Sequence, residues 1–426
     1  MGPSICGEIL DNAEETLAAG DALAVERALK WALVIHQLLL RRDSGRHGGR
    51  QHLGAMRRRF ALFEEGSMRM LVGQWRADVV RAKAEPSPGS MDAMASVRRA
   101  VQLIEDGCVH KAMPFLEGSG LGDLELPEIQ AQLRAKHPQD REDWERGNVD
   151  RAPRLYLHGV FDALKNLDRN AGAGADRFRN EYLLTMVRGE IPSSMRSAAL
   201  DAWKNFAEHI VNNDLPSWFY MAWCTTVQFA PVKRLGATPA EDDVRPIGCG
   251  GSVRRAVGRC VLLEKKEALR THCEPVQLAM GTSAGTQAHG YIAGIHMQAF
   301  PLHICVKIDF RNAFNEIQRA KIVEIFARTE ALRDLHRFAE SHLRPRARIY
   351  YLSGGKLVPL DYRSVQGAAQ GCWEAGAGFD CATLSYFQRA DQRLAENGGC
   401  ARATADDLAL CGDTDNRVGD LRRPEG

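Results

Sequence analysis

Two adjacent carboxylates lie between short apolar runs in the stretch Ala403-Thr404-Ala405-Asp406-Asp407-Leu408-Ala409-Leu410. The flanking residues fit two short strand halves, and Asp tolerates the backbone conformations that a tight connection needs. The stretch therefore predicts a hairpin with its acids at the bend. Taken alone, an Asp-Asp pair more often indicates a solvated turn than a functional site.

A second stretch, from Ile304 to Phe314, changes that interpretation. It is a β-branched run that carries Asp309 near its end and passes into a helical pattern from Ile317 onward. If this strand is a neighbour of the hairpin, Asp309 converges with the pair Asp406-Asp407. Three carboxylates at one point repel one another unless cations lie between them, and two Mg²⁺ ions about 3.5–4 Å apart suit such a set. The pattern predicts a phosphoryl-transfer site of the kind that polymerases use.

Three segments resemble the motifs of a known family, the reverse transcriptases. Motif A of that family is similar to Asp309-Phe310-Arg311-Asn312-Ala313-Phe314-Asn315, motif B to Gly367-Ala368-Ala369-Gln370-Gly371-Cys372, and motif C to Thr404-Ala405-Asp406-Asp407. The three occur in the family's order and at plausible separations, which is far more specific than any one of them. The chain resembles the reverse transcriptases of non-LTR (LINE-like) retrotransposons.

The resemblance implies an α+β fold, the fingers and palm of a right-hand polymerase, in which an antiparallel palm sheet carries the acids and helices cover its back. It implies RNA-directed DNA synthesis, with an RNA template, a DNA primer and dNTPs as partners and two Mg²⁺ ions, or Mn²⁺, as cofactors. Asp309 and Asp406 would ligate both ions, the Phe310 carbonyl would ligate one, and Asp407 would be the more peripheral acid.

The same resemblance places the incoming nucleotide against the fingers and motif B. Lys233 and Arg245, on two paired strands, would grip the triphosphate. Gln370 and Gly371 would lie where the template base and the nucleotide approach the backbone, and Phe314 would be the gate that excludes a 2′-hydroxyl. Without the motifs, the two cations indicate only a surface hairpin, and Phe314 indicates a core ring of the following helix.

Three further segments give weaker signals. The run Pro275–Gly281 is similar to the loop that precedes motif A in LINE-like enzymes, and this resemblance suggests Gln277 as a template contact. Basic residues between Arg254 and Lys266 alternate with apolar ones, which predicts a helix with one face to pack and one to follow a nucleic-acid backbone. Glycines at 354 and 355 lie between two strand-like runs, Ala347 to Leu352 and Lys356 to Leu360, and predict an architectural hairpin.

Composition bounds the function classes. With 426 residues, of which 45% are hydrophobic, the chain can build a sizeable core and two or three domains or subdomains. A net charge of +2 does not by itself indicate a nucleic-acid binder. The eleven cysteines contain no C-x-x-C pair, so neither a zinc knuckle nor a disulfide framework is indicated, and an intracellular compartment, cytoplasmic or nuclear, is expected. No apolar run reaches the length of a membrane span, and the oligomeric state is left open.

Residues 1–150 are predicted to be a helical N-terminal region with an Arg-rich linker, and residues 151–426 the reverse transcriptase domain. An amphipathic helix is expected around Trp31 to Leu40, with a core stripe at Val25, Leu29, Ala32, Leu33 and His36. The Arg-rich segment from Arg41 to Arg59 has Asp43 as its only acid. It is either a phosphate-binding patch or a solvated linker, and the linker is the favoured interpretation.

Two rival interpretations stay open. An RNA-dependent RNA polymerase shares the acids of motifs A and C, but it favours a polar residue where Phe314 stands, so DNA synthesis is preferred. A catalytically inactive nucleic-acid-binding remnant is favoured by Thr404, where the family has an aromatic residue, and by the short tail after Asp413, which leaves no room for a primer grip or thumb. On that basis we expect weak primer extension and an uncovered edge or face of the palm sheet.

Overall fold

A computed structural model describes residues 24–40, 49–84, 101, 104–105, 122–139, 149–169, 171–172, 174–176, 178–188, 192–232, 244–353, 356–369 and 372–413. The protein is of the mixed α+β class, as predicted. Its helices are α1 (Ala24–Leu40), α2 (Gly49–Glu64), α3 (Met68–Ala84), α4 (Pro127–Ala135), α5 (Val160–Lys165), α6 (Asn180–Arg188), α7 (Ser193–Val211), α8 (Ser217–Trp223), α9 (Ser252–Cys273), α10 (Gly285–Ala299), α11 (Ala313–Glu316), α12 (Arg319–Arg328), α13 (Leu335–Leu343) and α14 (Trp373–Ala395). Its strands are β1 (Thr226–Phe229), β2 (Ile247–Gly250), β3 (His303–Asp309), β4 (Ala347–Ser353), β5 (Lys356–Ser364), β6 (Cys400–Thr404) and β7 (Asp407–Asp413).

One sheet contains the acidic stretches. It has three antiparallel strands in the order β3-β7-β6. β6 and β7 form the predicted hairpin, and Ala405 and Asp406 connect them, with a left-handed φ of 50° at Ala405. We call β6, β7 and this turn the Asp-Asp hairpin. β3 runs beside β7, so the two acidic stretches are neighbours, as predicted.

Alternation along the strands gives this sheet two different faces. On one face, Leu408 and Leu410 of β7 belong to a buried cluster with Leu384 and Phe387 of α14. The intervening residues of the strands, Asp407 among them, point to the other face. Asp309 and Asp407 therefore lie on the face opposite α14, and the helix covers the back of the sheet. Asp406, at the bend, is close enough to Asp380 of α14 for the two charges to interact.

A second sheet has the strand order β2-β1-β4-β5. β4 and β5 form the predicted hairpin, and β1 pairs parallel to β4 and antiparallel to β2. Ile129 and Leu133 of α4 are fully buried in a cluster with Ile349 of this sheet and with Val244, which precedes β2. The sequence division placed α4 in the N-terminal region, before residue 150, whereas its apolar face packs on this sheet.

The main core joins α9, α12, α13 and α14 around one tryptophan. The Trp373 ring stacks on Phe338 with the ring centroids 4.5 Å apart, and Phe326 stacks with it at 6.4 Å. Gly258 of α9 faces the same ring, where a Cβ atom would lie 2.9 Å from it. Close approach of α9 to α14 therefore depends on a residue without a side chain at position 258.

The basic residues of α9 only in part form the predicted nucleic-acid-facing surface. Arg254 is buried and makes an ion pair with Glu374 of α14. Lys265 Nζ lies 2.7 Å from Asp334 Oδ2. Arg259 is exposed. The prediction is wrong for Arg254 and Lys265, because α9 packs between other helices and uses these cations to hold its neighbours.

The N-terminal helix α1 packs against another helix, as predicted. Leu29 of the predicted stripe is buried and Leu33 is half-buried, but the most deeply buried residues of the helix are not in that stripe. Val34 and Leu38 are fully buried in a cluster with Leu71 and Val72 of α3. Ala32, which the predicted stripe included, is exposed, since α3 lies against the Val34 side. Among the helices within the described ranges, α1 included, none is both long enough and apolar enough to cross a membrane.

The second half of the Arg-rich segment is helical. α2 begins at Gly49, so the linker interpretation is wrong from that residue onward. Arg57 and Arg58 are exposed, whereas Arg59 and Ala55 are buried. One side of this part of the chain therefore packs, which a solvated linker would not do. The first arginines of the segment lie outside the described residues.

Apolar side chains are exposed near the edge strand β3, which pairs only with β7 in the described sheet. Leu302 is 87% exposed, and Tyr291 and Ile295 of α10 are also largely exposed. The uncovered edge expected for the acid-bearing sheet is therefore present in this part of the chain.

Candidate functional site

The strand register brings the predicted acids together. The Phe310 N–H donates to the Asp406 carbonyl oxygen at 3.2 Å, which makes these two residues a hydrogen-bonded pair. In an antiparallel ladder the next pair is of the non-hydrogen-bonded kind, with Cα atoms only about 4.5 Å apart. Asp309 and Asp407 are that next pair. Their carboxyl groups leave the sheet side by side, and Asp406 follows at the bend.

The electrostatics of these acids reflect their crowding. Partial burial raises the pKa of the Asp406 carboxyl, and the negative charges of Asp309 and Asp407 raise it further. Arg245 acts in the opposite direction. A second cation contacts a neighbouring acid, since Lys307 Nζ lies 3.4 Å from Asp407 Oδ1. Arg245 and Lys307 thus offset part of the negative charge of the three acids.

The donor chemistry of this set fits a hard divalent cation. Mg²⁺ prefers carboxylate and carbonyl oxygens, and mutual repulsion of the acids is what a bound cation would relieve. As the side chains stand, no three His, Cys, Asp or Glu groups of the described residues are gathered closely enough to hold a metal ion. Asp309, Asp406 and Asp407 supply the right atoms at neighbouring backbone positions, and binding would require their side chains to turn toward one another.

Aromatic packing anchors the end of β3. The Phe310 ring lies 5.9 Å from the Phe387 ring of α14, and the half-buried Phe314 ring meets Phe379 edge to face at 5.3 Å. Phe314 thus has a packing role, and its role as a sugar gate stays a prediction. Both phenylalanines fix the backbone that delivers Asp309.

The segment that resembles motif B closes on the one that resembles motif A. The Ala368 N–H donates to the Phe314 carbonyl at 2.8 Å. Gly367 has a φ of 64°, and a Cβ there would lie 2.4 Å from the backbone of Asn315. The glycine is required because the chain approaches itself at this point. Gln370 and Gly371 lie outside the described residues.

Of the two predicted triphosphate-gripping cations, one is described. Arg245 is exposed, and its charge reaches Asp406. Its backbone N–H donates to the Pro231 carbonyl at 2.9 Å, and Val232 bridges to Val244 beside it. The two predicted fingers segments are therefore joined. Lys233 lies outside the described residues.

Gln277 contacts the Asp-Asp hairpin, and its side chain is not accessible to a template. Its side chain is fully buried, and its amide bonds to both backbone polar groups of Ala405. The predicted template contact is wrong, because a fully buried side chain is closed to a nucleic acid. The available sequence signal was a polar residue between the apolar Val276 and Leu278, which is typical of a buried polar contact as well.

Sequence reasoning missed Asp380 of α14. This residue is 0% exposed, and neither carboxyl oxygen receives a hydrogen bond from any described residue. Burial raises its pKa to about 8, and the charge of Asp406 contributes. Asp380 stands within a largely apolar helical pattern, so no motif marked it.

No protein-family model matches this chain, and no curated protein matches it either.

Proposed function

We propose that this chain is an RNA-directed DNA polymerase of the non-LTR retrotransposon type, which transfers nucleotides to the 3′-hydroxyl of a primer. One observation supports this function above the others. Asp309 and Asp407 are directly opposed on β3 and β7, with Asp406 at the adjoining bend. Acids from two separate stretches of chain meet there, as two-metal nucleotidyl transfer requires.

The arrangement of the two sheets supports the finer fold proposal. The three-stranded sheet, covered on its back by α14, would be the palm, and the four-stranded sheet that leads to Arg245 would belong to the fingers. RNA template, DNA primer and dNTPs are the partners of such an enzyme. An RNA-dependent RNA polymerase is disfavoured by the bulky Phe314 at the position that would face a ribose 2′-hydroxyl.

Asp309, Asp406 and the more peripheral Asp407 would hold two Mg²⁺ or Mn²⁺ ions, with the Phe310 carbonyl as a further oxygen donor. Bound metal would lower the pKa of the primer 3′-hydroxyl and neutralise charge on the leaving pyrophosphate. Arg245, together with Lys233, would bind the triphosphate by charge-assisted hydrogen bonds.

Phe314 would exclude the 2′-hydroxyl of a ribonucleotide. Gln370 and Gly371 would lie beside the incoming base. These positions complete the proposed nucleotide site.

A catalytically inactive nucleic-acid-binding remnant is the second candidate. Thr404, which pairs with Asp407, stands where the family has an aromatic residue. Such a protein would bind primer–template without extending it.

Primer extension on an RNA template with Mg²⁺ tests the proposal. Asp406→Asn should lower the rate by several orders of magnitude, since metal charge stabilisation is worth several kcal/mol and each ~1.36 kcal/mol is tenfold. The matched control is Asp361→Asn, which removes an exposed carboxylate on β5 that pairs with Arg134. Extension by Asp406→Asn at the rate of Asp361→Asn would refute the assignment. Primer–template binding without extension by the unmodified chain would favour the remnant.

A further inference from the structure

The amide of Gln277 brackets a single residue of the Asp-Asp hairpin. Its Oε1 accepts from the Ala405 N–H at 3.1 Å, and its Nε2 donates to the Ala405 carbonyl at 3.2 Å. Oε1 also accepts from the Ala279 N–H at 3.1 Å. Both ends of the side-chain amide are therefore engaged, and so are both backbone polar groups of Ala405.

The chain around Gln277 runs along the outer edge of β6. The Ala403 N–H donates to the Val276 carbonyl, and the Leu278 N–H donates to the Ala403 carbonyl, both at 2.8 Å. This short segment bonds to the strand itself, and the Gln277 side chain reaches one step further, to the turn. The Gln277 side chain thus supplies hydrogen bonds to the turn, where no neighbouring strand can supply them.

The turn contains an unfavourable backbone conformation. Ala405 has a φ of 50°, a left-handed conformation that a residue with a side chain adopts only when its surroundings impose it. Ala405 directly precedes Asp406, so the orientation of its peptide groups sets the position of the Asp406 Cα and the direction of its Cα–Cβ bond. A side chain that fixes both polar groups of Ala405 fixes that direction as well.

We propose that Gln277 is a positioning residue for the acids: it holds the Ala405 backbone so that Asp406 stays beside Asp309 and Asp407, where its carboxyl can turn toward theirs. This role rests on the proposed function, because positioning Asp406 matters only if its carboxyl takes part in the reaction. Gln277 touches neither nucleotide nor metal and acts through Asp406.

Gln277→Met tests this role, since methionine keeps nearly the same length and volume and loses every polar contact. The chain offers a matched control in Asn212, which is also 0% exposed. Its amide accepts from the Leu155 N–H at 2.8 Å and donates to the Leu155 carbonyl at 2.9 Å, away from the hairpin. Asn212→Leu therefore removes a buried side-chain amide that bonds to both backbone polar groups of one residue, at a position distant from the hairpin.

Three measurements on the 426-residue chain separate positioning from general stability. Gln277→Met should weaken Mn²⁺ binding, followed by electron paramagnetic resonance, about tenfold. It should lower kcat for primer extension about tenfold to a hundredfold with little change in KM for dNTP, since a misplacement of about 1 Å can cost about a hundredfold. Amide hydrogens of residues 400–410 should exchange faster with deuterium. Asn212→Leu should change none of the three.

The outcomes are distinct. Equal Mn²⁺ affinity and equal hairpin exchange in Gln277→Met and the unmodified chain would overturn the positioning role. If the unmodified chain binds no Mn²⁺, the proposed function fails, and the exchange experiment still decides whether Gln277 holds the hairpin. Should Gln277→Met not fold, Gln277→Asn, whose amide is one methylene too short to reach Ala405, gives the same readouts.

Discussion

Two carboxyl groups of α14 are both buried, yet their surroundings are opposite in kind. Glu374, in the first turn, forms an ion pair with Arg254 of α9. Arg254 also donates to the Cys224 carbonyl at 3.0 Å. Asp380, further along the same helix, has no hydrogen-bond donor among the described residues, and its strongest charged neighbour is another acid, Asp406.

The difference shows that α14 serves two purposes. Around Glu374 the helix is built for stability, because a buried charge is tolerated when it is paired. Around Asp380 it carries a group that costs stability, and uncompensated groups of this kind concentrate at functional sites. The second region lies behind the Asp-Asp hairpin, so the cost falls where the proposed chemistry would be.

Breaking the Glu374 pair should have the largest effect. Glu374→Gln removes the negative charge and leaves the Arg254 guanidinium buried without compensation. We expect the free energy of unfolding to fall by about 3–5 kcal/mol. Urea unfolding followed by far-ultraviolet circular dichroism measures it.

The control for this variant replaces both partners. Arg254→Met with Glu374→Leu removes both charges together, and such replacements are often neutral or stabilising in buried pairs. The double variant should therefore recover most of the lost stability. If Glu374→Gln were as stable as the unmodified chain, the ion pair around Glu374 would not contribute to stability, and the contrast with Asp380 would be lost.

Neutralising Asp380 should have a smaller and opposite effect that depends on pH. Its pKa is raised from the ordinary value of 3.8 to about 8. A raised pKa in the folded state gives stability that is complete below pH ~4 and is lost as the pH rises to about 8. Asp380→Asn should therefore match the unmodified chain near pH 4 and be more stable by about 1–3 kcal/mol near pH 9, since an unsatisfied buried group costs that much or more.

Thermal unfolding from pH 4 to pH 9, with chelator present to remove divalent cations, checks this expectation. Asp391→Asn is the matched control, because this carboxylate of the same helix pairs with Arg402 at 2.7 Å. It should lose stability at neutral pH instead of gaining it. A pH profile of Asp380→Asn parallel to that of the unmodified chain would contradict the unpaired-acid interpretation.

The same comparison explains how far sequence alone could reach. The hairpin was predicted because alternation and turn residues are local signals. The pairing of β3 with the hairpin is a long-range contact. It was expected from the resemblance of both stretches to motifs of one family, and the convergence of Asp309 with Asp407 follows from that pairing. Glu374 and Asp380 could not be distinguished in the same way. Both are acids in one helical pattern, and their difference comes from what α9 and the hairpin bring to them.

Tertiary contacts also account for the wrong predictions. Gln277 was assigned to nucleic acid from a family resemblance and Arg254 from its charge and helical pattern, yet each is buried by an element distant in sequence. A polar or basic side chain indicates chemistry only if the fold leaves it accessible, and accessibility is decided by packing between segments. The α1 stripe was shifted for the same reason, since the position of α3 selects the buried face.

The smallest stability effect is expected at Phe314, whose ring packs on Phe379, the residue next to Asp380. Phe314→Ala should lower stability by about 1–2 kcal/mol, because it removes an edge-to-face aromatic pair and part of the buried area of the ring. It should also raise the ratio of ribonucleotide to deoxyribonucleotide incorporation, because the ring would no longer exclude the 2′-hydroxyl. Phe206→Ala is the control, since Phe206 is likewise half-buried and meets Phe219 edge to face at 6.1 Å in the main core. Both variants should lose similar stability, and only Phe314→Ala should change the incorporation ratio. An equal ratio in the two variants would show that Phe314 is only a core ring. The packing around Phe379 would then serve stability alone, although it lies next to Asp380.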